Sequence, residues 1–334
     1  MVSASQTELI GPLLKEVSRS FYLTLRVLPK EIRPQISLAY LLARATDTIA
    51  DTKVVARERR LELLRQMQAG EIKAVAELVA HQALPAERTL LQRLDECCAM
   101  LKSFSEADQK RIGDLWQTII AGQIFDLERF PGELAALEDD AELDRYTYLV
   151  AGCVGEFWTR MCAAHLKELE GWRDGGMEEA GIRFGKGLQL VNILRDLPRD
   201  LRIERCYLPV KEPKRLLEAR NFTEIQPLYN RCLDTAVGHL DAGWQYTMAM
   251  PGKLWRLRLA CTWPIWIGFE TIALLRQANP LDADKRVMVP QAVVNRMLVR
   301  TVLTCRCSKS LDNRYRQLWA AASGTGVSPV RASL

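Results

Sequence analysis

Helical periodicity runs through almost all of this 334-residue chain, and the apolar/polar alternation of a half-buried strand is almost absent. Apolar residues recurring every three to four positions predict helices near 6–16, 18–28, 31–51, 56–68, 71–83, 86–103, 106–129, 142–168, 176–200, 213–219, 221–248, 253–277 and 290–319. Breaks are expected at Pro29, Pro131-Gly132, Gly175-Gly176, Pro209 to Pro213, Pro251-Gly252 and Asn279-Pro280. No Gly/Ser/Pro-rich linker divides the chain and no short repeat recurs. The pattern therefore predicts one all-α domain over 1–320, followed by a disordered tail over 321–334.

Two acidic clusters stand out against this background. The first, Asp47-Thr-Ile-Ala-Asp51, ends the stretch Ile36-Ser-Leu-Ala-Tyr-Leu-Leu-Ala-Arg-Ala-Thr46, which is apolar nearly all round and so predicts a buried helix. The second lies in Asn192-Ile-Leu-Arg-Asp-Leu-Pro-Arg-Asp200. In each the acids are four residues apart, so they project from one helix face a turn apart. Each also has an arginine beside it, Arg44 or Arg195. An isolated acidic pair is ordinarily a solvated helix face. Here the charges fall in apolar helices, where burial is costly unless they are paired or bind metal. Two such pairs facing each other would make an oxygen-lined cage for hard divalent cations, since Mg²⁺ takes one or two carboxylates plus substrate phosphate oxygens. Chemistry on a diphosphate is the reading this supports.

Other features exclude classes of function. The net charge of +5 is a mild excess with no Lys/Arg block interleaved with aromatics, so no nucleic-acid partner is expected. A modest positive field suits an anionic substrate or lipid surface. The nine cysteines lack zinc spacing. Their odd number, with no signal peptide at Met1-Val-Ser-Ala-Ser, predicts a reducing cytosol. With only His81, His165 and His239 present, a histidine metal site or a Ser-His-Asp triad is not expected. No window holds 18 uninterrupted apolar residues. The richest candidate, Leu259 to Leu275, contains Pro264 and Glu270 and is expected as a buried helix. Neither a Gly-x-Gly-x-x-Gly after a strand nor a phosphate loop occurs, so a nicotinamide cofactor would not use a Rossmann unit. Gly152 and Gly155 admit two readings, close helix packing or room for a bulky substrate chain.

Five ordered motifs then resemble the squalene/phytoene synthase family: Ser18-Arg-Ser-Phe21, Tyr40-Leu-Leu-Ala-Arg-Ala-Thr-Asp-Thr-Ile-Ala-Asp51, Tyr146-Thr-Tyr-Leu-Val-Ala-Gly-Cys-Val-Gly155, Leu188-Gln-Leu-Val-Asn-Ile-Leu-Arg-Asp196 and Glu204-Arg-Cys-Tyr-Leu-Pro209. The resemblance runs from about Ser18 to about Val289. It implies an isoprenoid-synthase-type helical bundle with a central active-site cavity and a head-to-head prenyltransferase activity. The first two motifs look more like squalene synthases than phytoene synthases. Two farnesyl diphosphates would condense to presqualene diphosphate, which rearranges and is reduced by NADPH to squalene. A phytoene, dehydrosqualene or presqualene diphosphate synthase without the reductive step is the alternative. An all-α terpene cyclase and a catalytically silent helical scaffold are more distant ones.

The resemblance implies Asp47, Asp51, Asp196 and Asp200 as ligands for Mg²⁺, with Mn²⁺ a substitute. Ser18, Arg19, Ser20, Phe21, Tyr40, Gln189, Asn192 and Arg286 fall on the diphosphate-binding positions, together with Arg44 and Arg195, whose planar guanidinium suits a bidentate grip. Tyr146 falls beside the reacting carbons, where its ring would stabilise a carbocation or its hydroxyl relay a proton; a core tyrosine is the other reading. Peripheral membrane contact is expected because squalene leaves into lipid. Three departures qualify the match, one of them an expected lack of the C-terminal membrane anchor of eukaryotic relatives. Pro198 inside the second acidic motif is expected to kink or end its helix and displace Asp200. Ala260 stands where an aromatic precedes the cysteine aligned with Cys261, with Trp263 as a stand-in.

Overall fold

Pro34 occupies the first turn of the helix that carries the first acidic cluster, where its missing N–H has no helical acceptor to lose. The computed structural model describes residues 7–18, 22–174, 176–282, 287–305 and 307–324. Its α-helices are α1 (Leu14–Ser18), α2 (Tyr22–Val27), α3 (Arg33–Asp51), α4 (Arg57–Gln68), α5 (Pro85–Gln92), α6 (Leu94–Lys102), α7 (Glu106–Arg129), α8 (Asp140–Thr147), α9 (Cys153–His165), α10 (Glu178–Arg202), α11 (Phe222–Ala249), α12 (Trp255–Leu275), α13 (Gln291–Thr304) and α14 (Ser308–Ser323). The extended backbone assigned among the described residues is a two-residue parallel bridge between β1 (Ala135–Ala136) and β2 (Arg205–Cys206). The all-α expectation holds.

Contacts gather into two compact units. The first comprises Met1–Pro131 and Phe157–Arg173. In it α3 packs against α4, α6 and α7, burying Leu38, Leu41, Leu42, Ala45 and Ile49 completely. The start of α7 is set by Ser105, whose hydroxyl accepts from the Asp108 amide at 3.2 Å.

The second unit comprises Gly132–Glu156 and Asp174–Leu334. There α10 lies along α11, and α12 packs against α10, α11, α13 and α14. As expected, α12 is buried through most of its length, with Trp266, Phe269 and Ile272 closed to solvent. Gly155 and Gly185 permit the closest approach in this unit. A Cβ on Gly155 would sit 1.9 Å from the Gly181 carbonyl oxygen, and one on Gly185 would sit 2.2 Å from that of Ala151. The packing reading of Gly155 is the one the structure supports.

Three predicted helices are subdivided. Residues 86–103 form α5 and α6, separated at Arg93, whose ψ of 16° leaves the helical region without any proline or glycine to announce it. Residues 142–168 form α8 and α9, joined by a wider π-helical turn at Tyr148–Gly152 that abuts Gly185. Residues 290–319 divide into α13 and α14. The last helix continues to Ser323 and closes on Gly324 at φ 68°, a left-handed cap that suits a residue without a Cβ.

Candidate active site

In the first unit, Tyr40, Arg44, Asp47 and Asp51 share one face of α3 while the opposite face fills the core. The threonines among and just after them are internally satisfied. Thr46 donates to the Leu42 carbonyl at 3.0 Å, Thr48 to that of Arg44 at 2.9 Å, and Thr52 to that of Thr48 at 2.6 Å. The Trp116 indole N–H on α7 donates to Thr46 Oγ1 at 3.0 Å. Two turns further along α7, the Gln123 amide donates to Asp47 Oδ1 at 2.7 Å. Arg44 pairs with Glu87 of α5 and stands 3.9 Å from Asp47. Its Nε is buried with no hydrogen-bond partner among the described residues.

The electrostatic result is an acid held away from its ordinary range. The Asp47 carboxyl is pushed up to about 7, mainly by loss of hydration. Arg44 and the Gln123 amide oppose this rise, and the charges of Asp51 and Glu87 add to it. Asp47 keeps 38% side-chain exposure, so its carboxylate is reachable from solvent rather than sealed inside the protein. Sequence reasoning missed Gln123 and Glu87. The signal for Gln123 was a lone amide in the apolar run Ile119-Ile-Ala-Gly-Gln-Ile124. No local signal marked Glu87.

Ser18 is buried at the end of α1, and its hydroxyl donates to the Leu14 carbonyl. Its one proton is therefore committed to the backbone. Arg19, Ser20, Phe21 and Arg286 lie outside the described residues.

In the second unit, Gln189, Asn192, Asp196 and Asp200 share one face of α10, and Val191, Leu194, Leu197 and Leu201 are buried. Of the two expected effects of Pro198, a kink or an end, the end is corrected, because α10 continues to Arg202. Asp200 therefore lies one turn beyond Asp196 on the same helix. The reason lies on α11. A proline at 198 leaves the Leu194 carbonyl without its helical donor, and the Tyr229 hydroxyl donates to that oxygen at 3.0 Å. Arg195 forks its own neighbour, with Nε to Asp196 Oδ1 at 2.9 Å and a terminal nitrogen to Oδ2 at 2.5 Å. The second acid therefore carries its own counter-charge.

Tyr146 is buried at the end of α8 and stacks on Tyr207, with ring centroids 4.7 Å apart and planes 18° from parallel. Tyr207 follows a turn in which Glu204 adopts φ 66°, unusual for a residue with a side chain. The parallel bridge holds the returning chain, with the Leu137 amide donating to the Cys206 carbonyl at 3.0 Å. Ala260, Cys261 and Trp263 are all buried in α12.

Among the described residues no three His, Cys, Asp or Glu side chains form a ready-made metal-binding group. Each acidic face is instead a two-carboxylate donor set. That set fits Mg²⁺, which takes one or two carboxylates and completes its shell with water and substrate phosphate. No described helix is long and apolar enough to cross a membrane.

Comparison with known proteins identifies the family and the fold. The family described as squalene/phytoene synthase matches residues 14–292. A bifunctional lycopene cyclase/phytoene synthase of Blakeslea trispora is 31% identical over 210 residues, covering 59% of this chain and 31% of that protein. The squalene synthase of Bos taurus is 28% identical over 196 residues, covering 59% of this chain and 45% of that one. The matched part is thus under half the length of either relative. The solved structure of TcSQS with the ligand E5700 superposes with a TM-score of 0.74 at 18% identity, over 96% of this chain and 98% of that one. At that identity the likeness shows the shared fold.

Proposed function

The chain belongs to the squalene/phytoene synthase family, and we propose that within it the protein is a squalene synthase that joins two farnesyl diphosphates head to head through presqualene diphosphate and reduces the product with NADPH. The observation that carries this reading is the pair of two-carboxylate helix faces, Asp47 with Asp51 and Asp196 with Asp200, each beside an arginine. The choice of squalene over phytoene rests on the motifs around Ser18 and Tyr40, which are closer to those of squalene synthases.

Each acidic face would hold Mg²⁺, or Mn²⁺ in its place. Bound there, the metal supplies Lewis-acid neutralisation of the diphosphate leaving group. The remaining work falls to side chains. Gln123 orients the Asp47 carboxylate through its 2.7 Å hydrogen bond. Arg44, with its buried unpartnered Nε, retains a donor for a phosphate oxygen. Arg195, now held on Asp196, would be available to a phosphate oxygen if that carboxylate served a metal. Tyr40 on α3 and Gln189 and Asn192 on α10 add polar groups to these faces, and Ser18, Arg19, Ser20, Phe21 and Arg286 are retained as diphosphate-binding residues on the strength of the motifs alone. Tyr146, held flat against Tyr207, presents ring and hydroxyl to the reacting carbons. Peripheral contact with a membrane is part of the proposal, because the product is an apolar chain.

The deciding experiment is product analysis with purified protein, Mg²⁺ and farnesyl diphosphate, with and without NADPH. Squalene formed only with NADPH supports the reading. Presqualene diphosphate, dehydrosqualene or an alcohol in the presence of NADPH moves the protein to the non-reductive branch. Turnover of geranylgeranyl diphosphate alone makes it a phytoene synthase.

A further inference from the structure

Four of the nine large apolar side chains that remain exposed among the described residues fall within one short stretch. Met288, Val299, Val302 and Leu303 are 56%, 62%, 49% and 80% exposed. The last three belong to α13, whose other side buries Met297 and Thr301 and packs on α12 and α14. At 100° per residue, Val302, Val299 and Leu303 fall together in the middle of the outward arc, with Arg296 and Arg300 along one edge. Both arginines are exposed.

The surrounding sequence adds charge of one sign. From Val287 to Leu311 there is no Asp or Glu, while Arg296, Arg300 and Lys309 are all exposed. A solvated helix face would ordinarily mix both signs and keep a valine or leucine of this exposure covered. Apolar side chains at the centre with arginines at the rim match an interfacial helix on an anionic lipid surface. There, aliphatic groups enter the acyl boundary and guanidinium groups meet lipid phosphates.

We propose that the outward face of α13, formed by Val299, Val302 and Leu303 with Arg296 and Arg300, is a docking surface for anionic membrane lipid. Charge complementarity selects this occupant over a second copy of the chain. A self-complementary contact on this face would bring the same two arginines together from both copies, and no acidic residue between Val287 and Leu311 offsets them. The surface is read from exposed side chains rather than from the reaction, so it stands whether or not the protein makes squalene. If it does, the same lipid would receive the product.

The test is co-sedimentation of the purified protein with phosphatidylcholine vesicles prepared with and without phosphatidylglycerol, in the absence of substrate. Binding is expected to the mixed vesicles and to weaken as salt is raised. Arg296→Gln and Arg300→Gln should each reduce partitioning about fivefold. Leu303→Asp combined with Val299→Asp should reduce it by about tenfold or more, with far-UV circular dichroism unchanged. Sedimentation velocity on the same samples separates the rival occupant. Concentration-dependent dimerisation that Leu303→Asp abolishes, without vesicle binding, would make this face a protein interface and overturn the proposal. So would vesicle binding that none of these substitutions alters, or no binding to either vesicle.

Discussion

The Tyr229 hydroxyl donates to the Leu194 carbonyl oxygen at 3.0 Å, and both residues are fully buried. That carbonyl is four residues before Pro198, so its usual helical donor does not exist. A phenol on the neighbouring helix α11 supplies the missing proton. Burial raises the hydroxyl's pKa far above the usual phenol range, which keeps it protonated and donating at any ordinary pH. The helix that carries Asp196 and Asp200 is thereby continuous across a residue that ordinarily breaks helices.

This relationship predicts an epistatic pair. Tyr229→Phe leaves a buried carbonyl unsatisfied and should cost about 1–3 kcal/mol of stability. With Pro198→Ala in the background, the alanine amide can donate to Leu194 and the Tyr229→Phe cost should shrink to less than half. Urea denaturation of the four proteins in the cycle measures the coupling. Additive effects would show that the hydroxyl does not substitute for the amide.

Gly155 is the tightest steric position in the second unit, because a Cβ there would meet the Gly181 carbonyl oxygen at 1.9 Å. Backbone on backbone has no flexible end to yield. Gly155→Ala should destabilise the protein by about 3 kcal/mol or more, seen as a lower thermal midpoint or loss of folded protein. Gly171→Ala, where nothing lies within 4 Å, serves as the control and should be close to neutral.

The acidic faces separate fold from chemistry. Asp47→Asn can still accept the Gln123 hydrogen bond through its side-chain oxygen, and Asp196→Asn removes the charge that Arg195 holds. Each should lower turnover by about a hundredfold or more while circular dichroism is retained. Asp200→Asn should be as damaging, since the helix is continuous to Arg202. Turnover that survives EDTA would remove the metal assignment altogether.

Stability should fall in mild acid through His239. Burial and the nearby charges of Arg183 and Lys186 lower its pKa from 6.5 to about 4, against the pull of Asp144. Below about 6.5 the unfolded chain takes up a proton that the folded chain refuses until about 4, so folding free energy declines across that window. Denaturation midpoints for the native protein and His239→Gln should converge as pH drops from 7 toward 4. An NMR titration that places the imidazole near its ordinary value would refute the cause.

Tyr146→Phe keeps the stack on Tyr207 but deletes the hydroxyl. It should lower kcat by about tenfold or more with a smaller change in KM. Tyr207→Leu should instead loosen the ring and affect both parameters. An unchanged rate for Tyr146→Phe would make the residue a core tyrosine.

Helices were legible where a local period was enough. The apolar pattern over 106–129 coincides with α7, and that over 31–51 lies within two residues of α3. The acids at 47 and 51, and at 196 and 200, had to share a face once their segments were helical, because four residues advance the chain by about one turn. The roles proposed for them rest on the family resemblance, because spacing alone assigns none. The break at Arg93 escaped notice because no proline or glycine stands there.

Pro198 shows where local rules stop. Read along the chain it ends a helix, yet the helix continues because Tyr229, 31 positions later, occupies the acceptor that proline strands. Gln123 on Asp47, Glu87 on Arg44 and Tyr207 on Tyr146 are of the same kind. Periodicity, charge and motif order are properties of neighbouring residues, so they prescribe an all-α protein with two acidic helix faces. Which amide, phenol or carboxylate meets each face depends on which helices become neighbours after collapse. Partners tens of residues away in sequence are chosen by packing, and only the folded chain brings them within hydrogen-bonding distance.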